Sequence, residues 1–105
     1  MQTILTIGSL PAAAADAAQE FYRQWQPQIL QRLSLGGDLV VHVPGAGPDH
    51  ADWRRAAVRD LARASTPQRI NFVSGETGFS LEATAEFLAY SPGITGQYLV
   101  LHDGG

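Results

Sequence analysis

Along this chain, short apolar runs alternate with longer stretches in which apolar residues recur every three or four positions. Residues 2–8 (QTILTIG) form a β-branched run closed by a glycine, which predicts a first strand. Pro11, a favoured first helical residue, opens the stretch AAAADAAQEFYRQWQPQILQRL. Phe21, Trp25 and Ile29 recur there every four residues, with Tyr22 and Leu33 alongside, so one apolar stripe faces inward. Pro27 predicts a kink or interruption, because proline removes a backbone donor and crowds the preceding turn. Gly36-Gly37 closes the helix. DLVVHVP (38–44) is then a continuous apolar run of the kind buried on both faces of a sheet.

After a turn at Gly45–Pro48, Asp49 is placed to cap a helix running from about His50 to Ser65. Trp53, Ala57, Leu61 and Ala64 are expected along its buried side, with Arg54, Arg55, Arg59 and Arg63 more exposed. Residues 69–74 (RINFVS) predict a third strand, and Ser80 is placed to cap LEATAEFLAY, where Leu81, Ala85 and Leu88 share one face. Gln97 to Leu101 predict a last strand before His102-Asp103. The order β-α-β-α-β-α-β within one domain, residues 1–105, implies an α/β fold. It would be a small Rossmann-like sandwich of about four parallel strands and three helices, with right-handed crossovers.

Composition narrows the chemistry. The chain has no cysteine, which excludes a disulfide framework, thiolate catalysis and a thiolate zinc site. All 7 basic residues are arginine, so Schiff-base, lysine-base and P-loop-lysine mechanisms are closed to it. A formal charge of -3 argues against nucleic acid or an anionic membrane as a partner. No apolar run approaches the roughly 20 residues needed to span a bilayer. The start MQTILTIG has neither the basic segment nor the cleavage site of a signal peptide, so a cytoplasmic protein is expected. The lysine-free, alanine- and arginine-rich composition points to a GC-rich bacterial genome.

Few residues offer chemistry. Gly45-Ala46-Gly47 follows a strand and precedes a helix, as a phosphate-binding turn does, but His50 stands at the third glycine position and a plain turn is the favoured reading. His50 with Asp49 and Asp52 does not complete a metal shell, so no metal is expected. His42, inside DLVVHVP, reads as a hydrogen-bonded strand histidine, and Tyr90 as a packing residue of core or interface. The arginines of the 50–66 helix are interleaved with Asp49, Asp52 and Asp60 and are expected to form no basic patch.

Four segments, GGDLVVHVP, AAVRDLARAS, RINFVSG and SPGITGQYLVLHDGG, in order over roughly residues 21–105, together resemble the C-terminal half of the short-chain dehydrogenase/reductase family. SPGITGQYLVLHDGG (91–105) resembles its closing "ITGQ-apolar strand-DGG", with one extra residue between Gln97 and Asp103. RINFVSG (69–75) resembles "IRVNAVAPG", with Asn71 at the asparagine and the proline missing. GGDLVVHVP resembles "GGRIVNISS", and AAVRDLARAS resembles "AAVxxLTRxLA". The resemblance implies a Rossmann-like fold and, in complete members, a nicotinamide nucleotide held by a glycine-rich loop with serine, tyrosine and lysine as catalysts.

Here the serine position falls on Pro44. One register puts Ala51 and Arg55 at the tyrosine and lysine; another puts Gly47 and Ala51 there. The family's supporting asparagine falls near Ala14. The first loop has one glycine, Gly8, where the dinucleotide fingerprint needs three. The expectation is therefore a degenerate relative lacking most of the nucleotide-binding half, without catalytic residues, cofactor or metal.

Its role would be structural or protein-binding, as a homodimer or beside a full-length dehydrogenase-like subunit. In the family the two helices flanking the GGDLVV-type strand pair across a dimer, which nominates Phe21, Trp25, Ile29, Trp53, Ala57 and Leu61 as interface. For Trp25 and Trp53 the monomer core is an equal alternative. An unpaired edge at QTILTIG, and a parallel sheet with too few helices for two faces, also favour association. The alternatives are an NAD(P)-binding oxidoreductase or its accessory subunit, and a small-molecule module using the strand carboxyl ends near Pro44–His50 and Gly75–Phe79.

Overall fold

A computed structural model describes residues 1–101, and the tail that begins with His102-Asp103 lies outside the described residues. Four strands, β1 (Gln2–Thr6), β2 (Asp38–Val43), β3 (Ile70–Ser74) and β4 (Tyr98–Val100), pair in parallel in the order β1-β2-β3-β4. The register aligns Leu5, Val41, Phe72 and Tyr98 across one face, and Thr6, His42, Val73 and Leu99 across the other. β2 and β3 are central and buried on both sides, as their unbroken apolar runs require. β1 is an edge strand with an exposed Ile4.

The α-helical run containing Pro27 is interrupted, as expected, but by a π-helical turn and not by a gap. It comprises α1 (Ala14–Glu20), a π-helical turn (Phe21–Trp25) and α2 (Gln26–Ser34), which follow one another without a gap. The wider turn puts Pro27 within the first residues of α2, where a missing N–H costs little. It also turns Phe21 fully into the core, 5.4 Å from the Trp53 ring and 5.6 Å from Phe72. A 3-10 turn (Pro48–His50) leads into α3 (Ala51–Ser65), and α4 is Phe79–Ala89. Neither Asp49 nor Ser80 makes the expected side-chain cap. Pro48 starts the first helix, and Gly78, at φ 153°, precedes the second.

The helices divide unevenly. α1, α2 and α3 cover the Leu5–Val41–Phe72 face, whereas α4 alone covers the other, over Val40, Val73 and Leu99. Because each strand is added on the same side of the last, a helix on the opposite face gives β3-α4-β4 the opposite hand to the first two crossovers. The expected uniform right-handedness therefore fails. The first face has no room left there, since a Cβ on Gly96, just before β4, would already meet Ala62 of α3 at 3.2 Å. The apolar residues on the second face also need a cover.

Tyr22, edge-on to Phe21 at 5.4 Å, has its phenol pKa raised by partial burial and then by the Asp60 carboxylate. A folded-state value above the unfolded one means that this contribution is intact below the ordinary value of 10.0 and is lost as pH rises through the folded value. Urea midpoints should therefore fall above that pH, and Tyr22→Phe should flatten the fall. An unchanged slope in the variant would contradict this account.

Candidate functional site

Two cavities open at the carboxyl ends of the strands, one on each face of the sheet, where an open α/β sheet places ligands. The first, about 210 Å³, lies among Leu10–Ala12, Pro44–Gly47, His50 and Arg54. The second, about 330 Å³, lies among Thr6–Gly8, His42 and Gly75–Thr77. Both fall at the loops expected of a small-molecule module.

His50 is buried, and both ring nitrogens are engaged. Nε2 lies 3.0 Å from the Ala12 carbonyl, and Nδ1 accepts from the Trp53 indole N–H at 3.2 Å. A histidine wired in this way is the neutral tautomer with hydrogen on Nε2, and it has no free nitrogen for acid–base work. His42, also buried, sits 2.7 Å through Nε2 from the Gly75 carbonyl, with Nδ1 3.4 Å from the Thr6 hydroxyl. It ties the carboxyl ends of β1, β2 and β3 together, as a hydrogen-bonded strand histidine should.

Arg54 departs furthest from expectation. Its place among charged neighbours predicted exposure, yet it is 1% exposed. Its Nη1 donates to the Pro44 carbonyl at 2.9 Å and to the Ser74 and Tyr98 hydroxyls, both at 3.2 Å. The guanidinium lies 5.4 Å from the Trp53 ring centre and 5.8 Å from that of Tyr98. A helical wheel gives the signal in retrospect, because Arg54 falls between Trp53, Ala57, Val58 and Leu61 on the inward arc. Ala64, expected inside, is exposed. Arg55, Arg59 and Arg63 line one groove beside β4, so they do gather on one surface despite the interleaved aspartates.

The structure places Phe21, Ile29, Ala57 and Leu61 wholly inside the chain's own core, with Trp25 and Trp53 half-buried against it. Tyr90 is 82% exposed and belongs to no core. Among the described residues no group of three acidic or histidine side chains could hold a metal, and no helix is long and apolar enough to cross a membrane.

The family described as short chain dehydrogenase-like protein matches residues 5–101. The chain belongs to the short chain dehydrogenase-like family. Neither a curated protein nor a solved structure gives a match. For this SDR-like chain, two of the four sequence segments that carried the resemblance, RINFVSG and the ITGQ segment, prove to be one hydrogen-bonded unit. Asn71 Nδ2 donates to the Ile94 carbonyl at 3.2 Å, Gln97 N donates to Asn71 Oδ1 at 3.0 Å, and Gly96 N donates to the Ile70 carbonyl at 2.7 Å. Asn71 and the ITGQ turn therefore hold β4 onto β3.

At the positions where the SDR resemblance would put catalytic groups, Pro44 ends β2. The pair four residues apart that reaches the cavity is His50 and Arg54, in neither of the two registers considered from sequence. Gly8 is not forced by any close approach within the chain, since a side chain there would meet nothing within 4 Å.

Proposed function

We propose that this SDR-like protein is a non-catalytic, cytoplasmic family member that acts by binding protein, with a second copy of itself as its partner. The observation carrying this reading is the outward side of α4. Phe79, Ala83 and Phe87, at intervals of four, and Tyr90 just beyond them form a second apolar stripe opposite the buried Leu81, Ala85 and Leu88. Phe79 is 84% exposed and Phe87 58%. Helices apolar on both sides belong in interiors, and contiguous exposed aromatic side chains mark interaction sites.

The stripe suits its own copy. In an antiparallel two-fold pairing, Phe87 of each protomer faces the partner's Ala83, large opposite small, while Phe79 meets the partner's Tyr90. The Phe21, Trp25 and Trp53 side is filled from within and offers less to a partner. Non-catalysis is supported by Pro44 at the serine position, by the committed nitrogens of His50 and by the absence of lysine from the sequence.

Sedimentation equilibrium tests the proposal. The wild-type protein should sediment as a dimer at high micromolar concentration, with no bound nucleotide after addition of NAD(H) or NADP(H). Phe87→Glu and Ala83→Arg, both on exposed positions, should give monomers with unchanged circular dichroism. A strictly monomeric wild-type protein would overturn self-association, and dimers persisting in both variants would overturn this face. A retained nucleotide would favour the oxidoreductase alternative.

A further inference from the structure

The Arg54 guanidinium is buried with no carboxylate within ion-pair distance among the described residues. Three neutral oxygens share its Nη1, and its Nε is buried without any partner among the described residues. A buried carboxylate or ammonium can shed its charge, but arginine cannot, so this positive charge persists. Buried charges without counter-ions are strongly disfavoured, and the two neighbouring aromatic rings offset the cost only in part. A guanidinium matches two oxygens of one oxyanion.

Arg54 lines the cavity among Leu10–Ala12 and Pro44–Gly47. Its volume of about 210 Å³ lies below the range of drug-sized ligand sites, which begins near 300 Å³. One guanidinium is balanced by one negative charge, and Asp49 at the same cavity makes a second negative charge unwelcome. From these features we infer that the cavity is a binding site for a small organic monocarboxylate, held by the Arg54 guanidinium. The site is independent of self-association through α4, since it lies at the carboxyl ends of the strands on the opposite face.

Acetate is the probe, with phosphate and chloride as comparison arms at constant ionic strength. Acetate should raise the wild-type Tm saturably, as expected for a ligand of the folded state alone. In two-dimensional NMR it should shift the Arg54 side-chain Nε–H, which is shielded from exchange. Arg54→Gln should weaken the thermal response roughly tenfold or more, because the charged fork is lost. Arg59→Gln, which removes one charge from the groove beside β4, should leave it unchanged.

A response no larger than chloride's, or one retained in Arg54→Gln, overturns the site. A response to phosphate without one to acetate overturns the carboxylate assignment. If Arg54→Gln does not fold, the wild-type Nε–H titration decides alone, and an unmoved resonance refutes the proposal.

Discussion

Phe21→Ala is expected to lower the stability of the protein by about 3–5 kcal/mol, the range for truncating a fully buried phenylalanine. The side chain has 0% exposure and sits at the π-helical turn, between Trp53 of α3 and Phe72 of β3. Its loss opens a cavity where three elements meet, and the half-buried Trp53 can refill it only by giving up the bond to His50. Urea denaturation gives the measurement, with Phe21→Leu as a volume control losing markedly less. A loss below about 1.5 kcal/mol for the alanine variant would show that the core closes around the gap.

The second large effect is expected at Arg69, which binds together the start of β2, the start of β3 and the end of α4. Its Nε and Nη2 engage Asp38 Oδ2 at 3.0 and 2.8 Å, and its Nη1 donates to the carbonyls of Leu88 and Ser91 at 2.9 and 2.7 Å. The second half of the network is a helix terminus satisfied from outside, since the last carbonyls of a helix have no partner within it. Arg69→Met should cost about 2–3 kcal/mol, less than a fully buried pair because both partners keep some contact with water. Amide exchange should quicken across the end of α4, whereas Asp38→Asn, which leaves the bonds to Leu88 and Ser91, should spare that region. Equal exchange in the two variants would mean that Arg69 acts through Asp38 alone.

Legibility from sequence differed from element to element. The strands were readable because central parallel strands are apolar on both faces, and DLVVHV and INFVS carry no alternation to mislead. The family was readable for a different reason. Asn71, Gly96 and Gln97 form one bonded unit, so two distant segments must hold to the same pattern together. The caps were misplaced because Asp49 and Ser80 have the right chemistry at the right positions, while Pro48 and Gly78 already direct the chain.

The candidate site was less legible. Pro44 and His50 could be placed near the strand ends from sequence, but Arg54 was assigned to solvent by residue type. Its actual surroundings come from Pro44, Ser74 and Tyr98, residues up to 44 positions away. The proposed interface shifted for a related reason. A recurring aromatic pattern shows that Phe21 and Ile29 face something apolar, but periodicity does not distinguish the chain's own core from a partner's.

By itself, then, the sequence determined the element order, the parallel α/β class, the family and the chemistries closed by the lack of cysteine and lysine. These follow from local periodicity and composition. The tertiary structure alone decided that α4 crosses on the opposite face, that the Phe21 stripe is internal and that one arginine is buried beside a cavity. Each depends on which segments meet in space, and that is set by competition for the two faces of one small sheet.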